Sequence, residues 1–91
     1  MAIVVRFNPP SLTASQYDST IAALEAQGNW PPDGLDYHVC FGDDGSLLVS
    51  EIWDSQEQFE AFGERLMPVL EQAGIEPGEP TVFQAHNTIK S

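Results

Sequence analysis

Residues 35–53 read LDYHVCFGDDGSLLVSEIW, two runs of strand-forming residues joined by a short polar segment. Asp44-Gly45 lies between the runs, and an Asp-Gly pair tolerates the positive φ that a tight hairpin turn demands. If these two residues form the centre of a primed turn, Asp43 pairs with Ser46. Counting outward then sets Cys40 opposite Val49, His38 opposite Glu51 and Asp36 opposite Trp53. A three-residue turn would bring Tyr37 and Val39 to Glu51 instead. Cross-strand partners share a face, so the two-residue turn makes His38 and Glu51 neighbours, with Trp53 beside them.

Working outward, residues 2–8 (AIVVRFN) are rich in β-branched side chains and stop at Pro9-Pro10, which reads as a first strand. Thr13 and Gln16 form a T-x-x-Q capping box, with Leu12 and Tyr17 at the staple positions on either side. Tyr17, Ile21 and Leu24 then lie on one helical face, and Gly28 stands where a left-handed cap ends the helix. Residues 29–34 (NWPPDG) form a connector into the hairpin, and Trp30 there is a loop anchor or a lid. Past the hairpin, Ser55 and Gln58 form a second capping box. Phe59, Phe62, Leu66, Leu70 and Ala73 mark the buried face of a second helix, which Pro68 should kink and Gly74 should stop. Residues 81–89 (TVFQAHNTI) read as a fourth strand.

This order predicts one domain over residues 1–91 with an α+β, ferredoxin-like βαββαβ fold: a four-stranded antiparallel sheet carrying two helices on one face. Val4 beside Val5, Val39 beside Cys40, Leu47 beside Leu48 and Ile52 beside Trp53 make both sheet faces apolar. A far face in water would alternate more cleanly, so it is expected to meet a second copy, sheet against sheet, in a homodimer.

Composition excludes several classes of partner. The chain has 14 Asp plus Glu against three Lys plus Arg and a formal net charge of -11, so no basic stripe is available for nucleic acid or for an anionic membrane surface. No stretch approaches the roughly 20 apolar residues of a membrane span, and residues 1–7 lack the basic and long apolar regions of a secretory leader. Cys40 is the only cysteine, which rules out an intrachain disulfide and is consistent with a reducing, cytoplasmic location. Two separated histidines and one cysteine do not provide metal-ligand spacing. The chain lacks a phosphate-cradling loop and a dinucleotide fingerprint, so no metal and no cofactor are expected.

Residues 50–62, SEIWDSQEQFEAF, resemble the hallmark of the dimeric α/β barrel proteins, and in particular their antibiotic-biosynthesis-monooxygenase-like group: a strand ending in an acidic residue and a tryptophan two apart, then a capped helix opening E-x-F. The resemblance implies a homodimer whose subunits each hold a small cavity between sheet and helices. Relatives use that cavity for cofactor-free oxidation of phenolic or quinol substrates, for lactone or aldehyde chemistry, or for haem, and many have no known activity. It also implies that Trp53 lines the cavity and that Glu51 and Trp53 face the helices. The haem-degrading branch carries Trp and His on its second helix. Phe59, Phe62, Gly63 and Met67 occupy that helix here, which disfavours haem despite Asn8 at the end of the first strand.

Among residues able to do chemistry, His38 and His86 can act as acid, base or hydrogen-bond partner, or can be structural. Glu51 is a carboxylate in a run destined for burial; it serves the site, pairs with His38 for structural reasons, or lies at the sheet rim. Cys40 reads as a small buried hydrophobe rather than a nucleophile. Two functions follow. The first is a small-molecule-binding protein or cofactor-independent monooxygenase-like enzyme for an apolar or phenolic ligand, with His38 and Glu51 catalytic and Tyr17, Trp53, Phe59 and His86 as ligand contacts. The second is a non-catalytic dimerisation or regulatory module with a filled core. A cavity of a few hundred Å³ with convergent polar groups would favour the first, and a filled interior the second.

Overall fold

A computed structural model describes residues 2–90 of the chain. The elements run β1 (Ile3–Phe7), α1 (Ala14–Gln27), β2 (Leu35–Phe41), β3 (Leu48–Trp53), α2 (Gln56–Gln72) and β4 (Thr81–Gln84). The strands form one antiparallel sheet in the order β2-β3-β1-β4, which with the two helices is the ferredoxin-like α+β fold.

Alternation along the strands sends Ile3, Val5, Val49, Glu51 and Trp53 to one face. Leu24 of α1 and Phe62 and Val69 of α2 close over that face, forming one core with Ile3, Val5 and Trp53. The opposite face carries Val4, Tyr37, Val39, Phe41, Leu48, Ile52 and Phe83, paired across the strands as Val4 with Ile52 and Phe83, Tyr37 with Ile52, and Phe41 with Leu48. Tyr37 and Phe83 are about half exposed.

Local chemistry explains where the elements begin and end. Thr13 closes its capping box with Gln16 in both directions, and Gly28 ends α1 at φ 83. At the start of α2 the box is half closed: Ser55 Oγ accepts the Gln58 N–H at 3.2 Å, but the Gln58 side chain accepts from the Ser55 hydroxyl at 2.9 Å rather than from its backbone. The helix continues through Pro68, and Gly74 follows at φ 70.

The hairpin register agrees with the count from Asp44-Gly45: His38 pairs with Glu51 and Cys40 with Val49. Three details differ. The Ser46 N–H donates to Asp43 O at 2.8 Å, but only Gly45 of the two central residues has positive φ, so the turn is not primed. The strands draw back to Phe41 and Leu48 because the loop binds the start of α1. Asp44 Oδ1 accepts the Ala14 N–H at 2.8 Å, and the Leu47 N–H donates to Leu12 O at 3.1 Å. At the other end a bulge places Leu35, not Asp36, opposite Trp53. The extra residue lets Leu35 join the core while the Asp36 carboxylate turns out to meet Lys90 Nζ at 2.6 Å.

The fourth strand stops at Gln84, well short of the expected residue 89, because its partner β1 begins at Ile3. One further bond, from the Ala85 N–H to Ala2 O at 3.0 Å, ends the pairing.

Gly34 joins the connector to α2 at close quarters. It sits at φ +90, and a Cβ there would lie 2.5 Å from Gln58 Cδ and 2.9 Å from Gln58 Cβ. Gly34→Ala is therefore expected to lower stability by more than about 1 kcal/mol in urea denaturation, from positive-φ strain plus the displaced Gln58.

Candidate functional site

Glu51 is 4% exposed, in a sheet face otherwise given over to the core. A carboxylate there needs donors, and the fold supplies one for each oxygen. Trp53, two residues along the same strand and fully buried, donates its indole N–H to Oε1 at 2.9 Å. His38, directly across the β2–β3 ladder, holds Oε2 from Nδ1 at 2.6 Å. The other imidazole nitrogen, Nε2, lies 2.7 Å from the hydroxyl of Tyr17 on α1.

These contacts define a directed chain. The indole can only donate, and an ionised carboxylate can only accept, so His38 places its proton on Nδ1. In the neutral imidazole Nε2 is then an acceptor, and the Tyr17 O–H donates to it. Burial pushes the Tyr17 phenol from its ordinary 10.0 up to about 12, with further push from the negative charges of Cys40, Glu51 and Asp18. The phenol thus stays protonated and remains a donor through neutral pH. The Cys40 thiol is also raised, by burial first and then by Asp18, which makes it a poor nucleophile.

The Tyr17–His38 end of the chain opens on an apolar cavity of about 80 Å³ between the sheet and the helices. Its walls include Phe7 and Val49 from the sheet, Ile21 and Leu24 from α1, and Phe62, Leu66 and Leu70 from α2. Trp30 lines it too, edge-on to His38 at 6.2 Å and tilted against Phe62 at 6.0 Å. Arg65 holds this loop by donating to Gly28 O at 2.9 Å and Asn29 O at 3.4 Å. Thr20 is buried in the same wall, but its hydroxyl is spent on Gln16 O at 2.9 Å. Glu51 lines the cavity as well, with both oxygens taken by His38 and Trp53, which leaves the Tyr17–His38 pair and the Trp30 indole N–H as its polar side-chain groups.

Of the expected residues, Tyr17, His38, Glu51 and Trp53 come together. Trp53 does so by holding the carboxylate rather than by lining the cavity. Phe59 packs behind it, 5.8 Å from the Trp53 ring and 6.1 Å from Phe7, without reaching the cavity. His86 lies past the end of β4, exposed and away from the cavity, because the strand that was to carry it ends at Gln84. Trp30, an anchor or a lid by its sequence context, lies in the cavity wall. Its aromatic ring beside two prolines was the available signal. Among the described residues, no three His, Cys, Asp or Glu side chains cluster to hold a metal ion, and no helix is long and apolar enough to cross a membrane.

Fold and site define a ferredoxin-like α+β protein with a buried Glu-His pair at an apolar cavity. Its structural neighbours are antibiotic-biosynthesis-monooxygenase-like proteins of this fold. A proposed antibiotic biosynthesis monooxygenase from Chloroflexus aurantiacus superposes with TM-score 0.68 at 18% identity, over 99% of this chain and 98% of that one. SnoaB, a cofactor-independent oxygenase from Streptomyces nogalater, gives 0.62 at 20% identity, over 99% of this chain and 96% of that one. A second proposed antibiotic biosynthesis monooxygenase, from Deinococcus radiodurans, gives 0.62 at 17% over 100% and 98%. At these identities the likeness is one of fold. No family model matches the chain, and no curated protein sequence does.

The raised phenol gives a pH signature. Folded Tyr17 keeps its proton up to about 12, while the unfolded chain releases it near 10.0, so its contribution to stability is complete below pH 10 and is lost as pH rises through 12. A tyrosinate absorbance titration is expected to contain a late step near 12 that is missing from Tyr17→Phe.

Proposed function

We propose that the chain is a small-molecule-binding protein that binds a phenolic or similar hydroxyl-bearing aromatic ligand, and that it acts on that ligand as a cofactor-independent, monooxygenase-like enzyme. The observation that carries this reading is the His38 Nε2 acceptor, backed by a buried carboxylate and aimed at an apolar, aromatic-walled cavity. A ligand hydroxyl donating to Nε2 can pass its proton there, and the Glu51 carboxylate stabilises the resulting imidazolium. The deprotonated ring is then electron-rich enough to reduce dioxygen directly. For a ring methylene activated in this way the balance is CH2 plus O2 to C=O plus H2O, one oxygen atom entering the product and the other leaving as water. The shared fold with SnoaB supports this reading.

A second reading, a non-catalytic module with a nearly filled core, is favoured by the cavity's size. About 80 Å³ is well below the expected few hundred, and about half of the roughly 150 Å³ apolar cavity that accepts benzene. A ligand must therefore displace side chains to enter. Thermal-shift screening of phenols against their hydroxyl-free counterparts separates the two: the first reading requires stabilisation by phenols. His38→Ala and Glu51→Gln should each weaken binding roughly tenfold or more and change its pH dependence, with the oligomeric state unchanged. Oxygen uptake with bound phenols and no added metal or cofactor tests the catalytic step.

We also infer that the outer sheet face is a homodimer interface. Apolar residues fill the row of Tyr37, Ile52, Val4 and Phe83 and the pair Phe41 and Leu48; Val39, Ser50, Arg6 and Thr81 lie between them, and Arg6, the one charged residue at these paired positions, lies 5.7 Å from the Phe41 ring centre. In a chain of net charge -11, a face free of carboxylates at those positions is where two copies can meet without repulsion. Light scattering is expected to give twice the 10.0 kDa chain mass, and Ile52→Glu to give the single chain mass with the cavity intact.

A further inference from the structure

Resting on that reading of the cavity, we propose that the Tyr17 side chain is a built-in stand-in for the ligand: its phenol occupies the ligand's hydroxyl site on His38 Nε2 and must leave before a ligand binds. Three observations converge. Tyr17 Oη is 2.7 Å from Nε2, a ring nitrogen with no other hydrogen-bond partner among the described residues. The two rings stack at 22° and 5.9 Å, so an aromatic ring already lies where a bound phenol would present its hydroxyl. Lastly, Tyr17 is only half-buried in the first turn of α1, next to solvent, so a swing of its ring toward water leaves its hydroxyl hydrated rather than stranded.

Displacement also resolves the shortage of space. With the phenol withdrawn, the cavity of about 80 Å³ gains the volume of the departing ring. The exchange conserves hydrogen bonds only for an incoming donor. A phenol replaces the Tyr17 hydroxyl one for one, whereas an aromatic hydrocarbon leaves the Nε2 lone pair unmet and a ketone sets two acceptors against each other. The site thereby selects a hydroxyl-bearing aromatic without a pocket preformed for it, and Tyr17 sets both the affinity threshold and the specificity.

The probe is p-cresol, which is the tyrosine side chain itself, with toluene as its hydroxyl-free isostere. Wild type is expected to bind p-cresol at least tenfold more tightly than toluene. Tyr17→Phe, which removes the competing hydroxyl, is expected to bind p-cresol about two- to tenfold more tightly than wild type, the range of one net hydrogen bond. In wild type, carbon-13-labelled tyrosine NMR follows the same event without a substitution. Saturation with p-cresol should move the Tyr17 ring signals to those of a solvent-exposed tyrosine. Weaker binding by Tyr17→Phe, or Tyr17 signals that stay in place when wild type is saturated, overturns the stand-in role and leaves the phenol-binding reading intact. Failure of both proteins to bind p-cresol overturns the stand-in role and phenol binding together.

Discussion

Burial of the Glu51 carboxylate is the constraint around which this structure is arranged. A charge removed from water in a protein core costs several kcal/mol unless donors replace its hydration, and removal of one partner alone leaves the cost unmet. The indole of Trp53 and the imidazole of His38 take one oxygen each. Both donors depend on backbone geometry. Trp53 reaches Oε1 because residues two apart on a strand share a face, and His38 reaches Oε2 because the β2–β3 ladder pairs it with Glu51. A slip of one residue would turn His38 to the outer face and leave Oε2 of the buried carboxylate without its donor. The polar pair therefore specifies register as strictly as the hydrophobic pattern does.

From that constraint the rest of the site follows outward. With Nδ1 committed to the carboxylate, Nε2 becomes an acceptor facing the helices, and α1 brings Tyr17 to it. The capping box at Thr13 determines where α1 begins, and the hairpin loop ties that start to the sheet through Asp44 and Leu47. The helix that carries the phenol is thus anchored to the hairpin that carries the imidazole. Arg65, one of the chain's three cationic residues, holds the opposite end of α1 and the loop bearing Trp30. The cavity is framed at both ends by such contacts, while the Tyr17 and Trp30 side chains that close it remain only half-buried.

Much of this was legible in the residues. Helix boundaries at Thr13, Gly28 and Ser55 rest on local capping chemistry, and the hairpin register rests on a two-residue offset between strong strand signals. Both are short-range effects, and the structure keeps these boundaries and this register, although the Ser55 box is half closed and Gly28 ends α1 at φ 83, ψ 174 rather than in the left-handed helical region. The details that escaped depend on neighbours distant in sequence. The turn lost its primed form to contacts with α1, 30 residues away in the Ala14–Asp44 bond. The bulge at Asp36 reflects competition between Leu35 and a carboxylate for one core position, with Lys90 waiting outside. The length of β4 is limited by its partner, so a run favourable to strand through Ile89 could not reveal that His86 would lie beyond the ladder. Glu51 and Trp53 lie on the helix side of the sheet and Phe59 on the inner face of α2, as expected, but periodicity cannot separate a residue that lines a cavity from one that packs behind it.

The central claim is the direction of the chain from Trp53 through Glu51 and His38 to Tyr17, because every functional statement uses Nε2 as the acceptor. Nitrogen-15 NMR of the His38 ring at neutral pH measures it directly. A neutral imidazole protonated on Nδ1, with Nε2 accepting from the Tyr17 hydroxyl, is the result the account predicts. A ring carrying its proton on Nε2 would contradict it, since that nitrogen would then donate to Tyr17 and could not receive a proton from a ligand.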